Sequence, residues 1–284
     1  MRHRLDLRIG PVTFRIGSDW RAPLGELARL YALYPEPDAI ADFTVRLEAE
    51  RIWRRWIRPS VGIRGDYILP DASPLALRHG LLAAEMAMNL QLALGQRSFL
   101  LLHAATVERD GKALLMTGES GAGKSTLAAL LGERGWRLMG DEFALVDLDT
   151  LALHPFPRAI SLKNEAISLF ADAPPERLGP LLENTPKGRI RHLRPGADAI
   201  ARMDEPAPLA AILFPRFGRD FERAMRPVGA AEVFVRLTQA STNYIALGER
   251  GFETLTGLVA AAPAWGIDYS DTDTAVALVE EVSR

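Results

Sequence analysis

Residues 118–125 carry the strongest chemical signal in the sequence. They read Gly-Glu-Ser-Gly-Ala-Gly-Lys-Ser and fit the pattern G-x-x-x-x-G-K-[ST] at every specified position. In such a loop the glycines let backbone N–H groups turn towards phosphate oxygens, the lysine reaches the terminal phosphates and the last hydroxyl suits Mg²⁺. We therefore expect a bound nucleoside triphosphate. Its predicted contacts are Gly118, Glu119, Ser120, Gly121, Ala122, Gly123, Lys124, Ser125 and Thr126.

Two further groups of residues flank this loop. His103 lies in an apolar run 15 residues before Gly118, and the pair Asp141-Glu142 begins 17 residues after Lys124. Taken alone, the histidine is more simply explained as a core residue. The acidic pair alone is equally well explained as the start of a solvated turn. Beside a phosphate loop, an imidazole and two carboxylates are also the groups that move a proton or hold a metal.

The loop by itself does not distinguish a kinase from a GTPase or a motor protein. The sequence contains no N-K-x-D motif for base recognition by a GTPase, and no L-S-G-G-Q-like signature of an ABC-type ATPase. Residues 138–142 match the acidic strand of such ATPases only in part. The choice among these classes therefore depends on what surrounds the loop.

Composition favours an ordinary folded chain around these residues. The 284 residues are 48% hydrophobic and 25% charged, with a net charge of −2 and no cysteine. This leaves ample apolar material for a core and no global charge that would attract nucleic acid. It also excludes a disulfide framework, a thiol nucleophile and a cysteine-bound metal. Because we find neither an N-terminal apolar leader nor a membrane-length apolar run, we expect a cytoplasmic protein.

Strands and helices are expected to alternate over residues 75–284, which indicates an α/β sheet domain. A strand enters the phosphate loop and a helix leaves it, with Gly135 as a stop signal. We predict strands at 99–107, 112–117, 143–148 and 209–214, and helices at 75–94, 126–131 and 272–282.

The first 70 residues are expected to form a small α+β domain. Residues 5–16 have strand composition, and Asp19 is a candidate cap for a helix from about 20 to 33. Residues 51–58, Arg-Ile-Trp-Arg-Arg-Trp-Ile-Arg, suit a nucleic-acid or phosphopeptide surface, but we favour a strand with Ile and Trp partly buried. The turn-rich residues 70–74 predict a boundary between domains 1–70 and 71–284.

The order of these motifs resembles the core of the HPr kinase/phosphorylase family. The resemblance covers residues 99–143, and its matching positions are His103, the loop 118–125 and Asp141-Glu142. Residues 157–164, 185–188, 192–195 and 243–252 look closer to the HprK-related kinase A group. The resemblance implies an α/β P-loop kinase core of the HPr kinase/phosphoenolpyruvate carboxykinase type and ATP-dependent phosphorylation of a serine hydroxyl.

The resemblance also suggests a role for each site residue. Asp141 would accept the hydroxyl proton, and His103 would hold Asp141 by a hydrogen bond and tune its basicity. Lys124 would neutralise the phosphates, while Ser125 and Glu142 would hold Mg²⁺, Glu142 directly or through water.

Three basic residues are candidate contacts to phosphate or substrate: Arg158, Lys163 and Lys187. Each is equally well explained as a solvated surface cation. Since only 4 of the 34 basic residues are lysines, a specific role for Lys163 and Lys187 is slightly favoured. The E-x-R-G-x-G signature of the bifunctional enzyme is missing around residues 158–164, and the second acid is glutamate. For this chain we therefore infer from the resemblance neither HPr as the substrate nor the reverse reaction, dephosphorylation.

The substrate we expect is a small protein or peptide encoded by a neighbouring gene, with no nucleic-acid or membrane partner and with homo-oligomerisation open. Two other functions stay open: an ATP-binding switch or assembly factor that transfers nothing, and a kinase for a small molecule. A pure switch needs no base directed at a hydroxyl. The presence of both His103 and Asp141 therefore favours the kinase.

Overall fold

The computed structural model describes residues 2–69 and 72–283. It is a mixed α/β structure with several sheets, and it divides into two compact units that each use two stretches of chain. The first unit comprises Met1–Gln96 and Ser161–Arg194, and the second comprises Arg97–Ile160 and Pro195–Arg284. This division differs from the predicted domains 1–70 and 71–284, whose boundary at residues 70 and 71 lies outside the described residues.

Strands and helices are numbered here in chain order. The strands are β1 (His3–Ile9), β2 (Val12–Ser18), β3 (Phe43–Ala49), β4 (Ser60–Gly65), β5 (Leu75–Ala76), β6 (Phe99–Leu102), β7 (Ala104–Arg109), β8 (Lys112–Thr117), β9 (Arg137–Gly140), β10 (Ala144–Asp147), β11 (Leu153–His154), β12 (Ile160–Lys163), β13 (Leu182–Thr185), β14 (Gly188–Leu193), β15 (Leu209–Phe217), β16 (Ala224–Pro227) and β17 (Ala264–Tyr269). The helices are α1 (Arg21–Leu30), α2 (Gly80–Gly95), α3 (Lys124–Glu133), α4 (Ala197–Ala201), α5 (Ala230–Ala240), α6 (Tyr244–Leu247), α7 (Glu249–Ala261) and α8 (Thr272–Val282). Short 3₁₀ helices occupy Ile52–Arg55, Leu77–His79, Asn164–Phe170 and Pro175–Arg177.

The first unit is built on a five-stranded sheet in the order β1-β2-β3-β4-β5. The residues with strand composition form two strands, β1 and β2, in a hairpin that turns at Gly10, whose φ of 52° suits glycine at a tight turn. Strands β2 and β3 pair in parallel, and β3 and β4 are antiparallel. Strand β2 is buried over nearly its whole length, and its Phe14 and Ile16 side chains are fully buried in the core.

Helix α2 is apolar almost all round, which explains why it belongs to the first unit. It packs on α1 and on strands β3 and β4, while its Leu82 joins an apolar cluster with Leu182 and Ile190. A helix without a polar face needs cover on more than one side. Residues 161–194, which form the sheet β12-β14-β13, supply the remaining cover.

The start of helix α1 differs from the prediction. The residue at the N-cap position is Trp20, with no side-chain capping bond, and the helix begins at Arg21. Asp19 instead accepts a hydrogen bond from the N–H of Ala49 at 3.2 Å and pairs with the guanidinium of Arg55. The Asp19 carboxylate therefore links the segment before α1 to the end of β3 and to Arg55 in the following loop.

The prediction of a partly buried strand at residues 51–58 is wrong. The ladder between β3 and β4 ends at the pair Ala49–Val61, so the residues between these strands have no partner for strand hydrogen bonds. They form a loop with one short 3₁₀ helix, Ile52–Arg55, in which no residue is buried.

The second unit holds a six-stranded sheet in the order β16-β17-β15-β8-β7-β9. Strand β8 is parallel to β15 and antiparallel to β7, and β7 is antiparallel to β9, so β8 and β9 run in the same direction. Helix α3 packs on β7 and β9, and α7 packs on β15. The core includes fully buried side chains of Leu115, Ile212 and Leu255.

The predicted strand at 99–107 is two strands in two different sheets. Strand β6 pairs with β10 in a three-stranded sheet, and β7 belongs to the six-stranded one. The break falls at His103, whose backbone N–H donates to the carbonyl of Ala240 at 2.7 Å. In the part of the chain that the structure describes, no helix combines the length and apolar character needed to cross a membrane.

A buried ion pair fixes the register of β7 and β9, which both lead to the candidate site. Glu108 and Arg137 stand opposite each other, both at most 4% exposed, and the guanidinium also donates to the carbonyls of Arg202 and Glu205. Burial alone would raise the pKa of Glu108, but hydrogen bonds from the Gly111 N–H and from Arg137 outweigh it and lower the pKa.

We expect Arg137→Met to lower the free energy of unfolding by about 3–5 kcal/mol, because it leaves a buried carboxylate without its main partner. Urea unfolding checks this value. The matched control is Arg134→Met, since Arg134 pairs with Asp273 at the surface; its loss should be about 0–1 kcal/mol. Equal losses in the two variants would contradict the assigned role of the buried pair.

Candidate functional site

Three chain segments meet at one end of the six-stranded sheet. Strand β8 ends at Thr117 and leads into the loop, and β9, which runs the same way, ends at Gly140 just before Asp141. Strand β7 runs the opposite way and begins just after His103. Because parallel strands share a carboxyl end and an antiparallel neighbour begins there, the histidine, the loop and the acidic pair lie at the same end.

The backbone of the loop explains its glycines. Gly118, Gly121 and Gly123 have φ of 149°, 89° and 92°, a region that other residues rarely adopt. Helix α3 then begins at Lys124, and no side chain caps its N-terminus. The first amide N–H groups of a helix carry a partial positive charge and lack helical partners. This strand-loop-helix arrangement is therefore suited to binding an anion.

The side chain of Lys124 is hydrogen-bonded to the backbone at the start of the loop. Its ammonium donates to the carbonyl oxygens of Gly118 at 2.7 Å and Glu119 at 2.9 Å, and the residue is only 8% exposed. The N–H of Ala122 adds a bond to the carbonyl of Glu119 at 3.3 Å. The positive charge is thus held at the base of a loop whose residues 118–121 are exposed.

Tyr269 lies directly against this loop and was not found by the sequence analysis. A Cβ atom on Gly123 would stand 2.7 Å from the Tyr269 hydroxyl oxygen. The tyrosine is 4% exposed, burial raises the pKa of its phenol, and its hydroxyl has no hydrogen-bond partner among the described residues. Its position is explained by strand β17, which runs parallel to β15 and ends at this residue.

The imidazole of His103 faces Glu142 rather than the expected Asp141. The distance from His103 Nε2 to Glu142 Oε2 is 3.5 Å, and both side chains are partly exposed. Glu142 has a φ of 72°, a left-handed backbone that is uncommon outside glycine and turns its longer side chain towards the histidine. Asp141 is buried, with 3% of its surface exposed.

Arg158 is buried beside the acidic segment, so its interpretation as a surface cation is wrong. Phe156 pairs in parallel with Gly140, which brings the residues after it alongside Asp141 and Glu142. Arg158 itself is 3% exposed. The burial of Arg158 could not be predicted from the sequence, because no sequence pattern indicated that Phe156 pairs with Gly140.

Lys163 and Lys187 lie in the first unit, whereas every other predicted site residue lies in the second. Lys163 ends strand β12, and Lys187 is in the turn between β13 and β14. The amide of Asn164 donates to the Lys187 carbonyl at 3.5 Å, so the two lysines belong to neighbouring segments. Lys187 is exposed and Lys163 half-buried.

Two cavities adjoin the loop. The first has a volume of about 520 Å³ and is lined by Gly118, Glu119, Ser120, Gly121, Ala122, Phe214, Pro215, Arg216, Phe217, Phe221, Arg226 and Arg236. The second, of about 490 Å³, is lined by His103, Thr117, Gly118, Glu119, Glu232, Val235, Arg236, Gln239 and Ala240. The arginines and aromatics of these walls come from β15, β16, α5 and, for Phe221, the loop between β15 and β16. No motif in the sequence signalled them.

The described residues offer no cluster of three or more His, Cys, Asp or Glu side chains that could hold a metal alone. Mg²⁺ commonly takes one or two protein ligands and completes its shell with substrate phosphates and water. The Ser125 hydroxyl, half-buried in the first turn of α3, is a ligand of the suitable kind.

Comparisons with known proteins found a matching family model and similar solved structures. The model of a protein family described as "SynChlorMet cassette protein ScmC" matches residues 81–175, which is less than half of the chain. The HPr(Ser) kinase/phosphatase from Coxiella burnetii is a similar solved structure at 14% identity and a TM-score of 0.29, covering 65% of this chain and 93% of the other. No curated protein matches the chain.

We expect Gly123→Ala to destabilise the protein more than Gly121→Ala. Both positions have a positive φ, which costs another residue about 1–2 kcal/mol, but only Gly123 has a neighbour within contact distance. The crowding against Tyr269 should add about 1–3 kcal/mol to the loss in free energy of unfolding. Urea unfolding measures both variants.

The variant Tyr269→Phe provides the control, because it removes the hydroxyl oxygen that a Cβ on Gly123 would meet. In the Tyr269→Phe background the two alanine substitutions should become nearly equal. If the gap between them is unchanged, the contact with Tyr269 does not cause it.

Proposed function

We propose that the chain is an ATP-dependent phosphotransferase of the P-loop kinase type that phosphorylates a serine hydroxyl of a small protein or peptide. One observation carries this proposal: the strand-loop-helix of residues 112–133 and the residues His103, Asp141 and Glu142 lie at one end of the same sheet. A phosphate cradle alone serves many functions, but ionisable side chains beside it suit transfer to a hydroxyl.

In the proposed reaction, the loop and Lys124 bind the phosphates of ATP as substrate. The loop amides, the N-terminus of α3 and the lysine ammonium supply positive charge where negative charge spreads in the transition state. Binding requires the ammonium to exchange its bonds to the carbonyls of Gly118 and Glu119 for phosphate oxygens, at least in part.

The group proposed to take up the proton is the carboxylate of Asp141. As the bond from the γ-phosphorus to the acceptor oxygen forms, the bond to the β,γ-bridging oxygen breaks, ADP leaves and Asp141 receives the hydroxyl proton. His103 contacts Glu142, so we propose that it acts on the acidic pair through this residue rather than by holding Asp141 directly.

Residues that would hold Mg²⁺ are Ser125 and Glu142, together with the substrate phosphates. When bound, the ion neutralises charge on the phosphate oxygens. We propose Arg158 as a further contact to the phosphates, because it follows the residue that pairs with Gly140 next to the acidic pair and because a guanidinium suits phosphate oxygens. We also propose that Lys163 and Lys187 contact the protein substrate.

The segment that matches the ScmC family, residues 81–175, contains the loop, His103, Asp141 and Arg158 together. This overlap supports treating these residues as one functional group. The proposed acceptor is a serine of a small protein or peptide, and proteins encoded by neighbouring genes are the first to test.

Lys124→Ala should weaken ATP binding about 10- to 100-fold, because it removes charge-assisted hydrogen bonds worth about 1.5–3 kcal/mol. Isothermal titration calorimetry with Mg²⁺ and ATP measures this loss. Lys112→Ala is the matched control, since Lys112 is an exposed lysine at the far end of the same strand. Equal affinity in wild type and Lys124→Ala would contradict the proposed nucleotide site.

Asp141→Asn should lower phosphoryl transfer about 10²- to 10⁴-fold and leave ATP binding within about threefold, because the change removes a base but no phosphate contact. The assay follows labelled ATP with Mg²⁺ and proteins of neighbouring genes, with phosphoserine analysis of the product. Asp149→Asn, at an exposed aspartate, is the control. Tight ATP binding with no transfer to any acceptor would favour a nucleotide-controlled switch.

A further inference from the structure

Residues 51–58 form a loop, here called the Arg-Trp loop, that connects β3 and β4 beyond the last pair of their ladder. Its four apolar side chains are exposed to an unusual degree. The exposed fractions are 73% for Ile52, 49% for Trp53, 65% for Trp56 and 65% for Ile57. Surface leucines or isoleucines scattered singly need no explanation, but four large apolar residues within one short loop indicate an interaction surface.

The loop is held in place by contacts at its centre. The indole N–H of Trp20 donates to the carbonyl of Arg55 at 3.0 Å, and the Arg55 guanidinium pairs with Asp19. The guanidinium of Arg54 donates to the carbonyl of Arg58 at 3.1 Å. These bonds secure the backbone of the loop, while the side chains of Trp53 and Trp56 stay exposed.

The charge of the loop is entirely positive. It contains four arginines and no acidic residue. Among the described residues, only Arg55 of these four takes part in an ion pair, so Arg51, Arg54 and Arg58 keep their charge available to a partner. The nearby Glu48 lies within 3.9 Å of Arg46, outside the loop. Residues 51–58 therefore carry a local excess of positive charge, which the exposed Glu50 next to Arg51 offsets only in part, on a chain whose net charge is −2.

We propose that the Arg-Trp loop docks the protein reversibly on an anionic lipid surface. Indole rings favour the boundary between hydrocarbon and headgroups, and the two isoleucines can enter the hydrocarbon. Since arginines flank and separate the apolar residues, shallow insertion of Trp53 and Trp56 places guanidinium groups at the depth of the lipid phosphates.

Complementarity in both polarity and charge favours this partner over a protein. A loop that combines exposed apolar side chains with arginines would require a protein partner whose binding surface is both apolar and acidic. A bilayer surface offers an apolar layer and anionic groups without any matching shape. This inference departs from the expectation of no membrane partner, which used the net charge of the whole chain. It does not depend on the proposed kinase activity.

The test is sedimentation of the full-length protein with vesicles of phosphatidylcholine and phosphatidylglycerol at 3:1, and of phosphatidylcholine alone. Wild type should bind the anionic vesicles, lose binding at high salt, and show a blue shift of tryptophan emission on binding. The double variant Trp53→Ser/Trp56→Ser and the double variant Arg54→Gln/Arg58→Gln should each reduce the bound fraction at least about tenfold.

Matched controls are Ile245→Ser, at the most exposed isoleucine elsewhere, and Arg189→Gln, at an exposed arginine outside the loop. Both should bind vesicles as wild type does. The proposal is overturned if wild type stays in the supernatant with anionic vesicles, or if the loop variants bind equally well. It is also overturned if sedimentation velocity shows that the tryptophans mediate self-association instead. Binding of a single-stranded oligonucleotide without binding of vesicles would overturn it as well.

Discussion

A buried ammonium group must find acceptors, and in this protein that requirement shapes the candidate site. Lys124 lies at the start of a helix with little exposure, and the carbonyls of Gly118 and Glu119 satisfy two of its donors. The same bonds fix the curvature of the loop. Glycines with positive φ make this curvature possible, and the hydroxyl of Tyr269 leaves no space for a Cβ at Gly123.

The strand order then determines which side chains reach this loop. Since β9 follows β8 in direction and β7 opposes both, the chain returns twice to the end of the sheet where the loop lies. Two further parallel strands, β15 and β17, end there as well and bring Arg216 and Tyr269. One sheet therefore gathers an imidazole, carboxylates, a guanidinium group and a phenol from four strand ends beside the loop that follows β8.

Local features of this arrangement could be predicted from the sequence, and long-range ones could not. The strand before the loop and the last helix, Thr272–Val282, agree with the predicted bounds because turn signals and apolar periodicity are local. The partner of His103 depends on the left-handed φ of Glu142, which neighbouring residues do not specify. The burial of Arg158 and the contact of Tyr269 with Gly123 depend on strand pairing between distant segments, for which one sequence holds no signal.

The path of the chain between the two units has a consequence for synthesis. The first unit lacks part of its core until residue 194 has been made, because Leu182 and Ile190 complete the cover of helix α2. By that point the ribosome has already released residues 97–160, which belong to the second unit and still lack strands β15 and β17. Neither unit can finish before most of the polypeptide has emerged, so the nascent chain exposes the apolar helix α2 for longer than a protein with consecutive domains would.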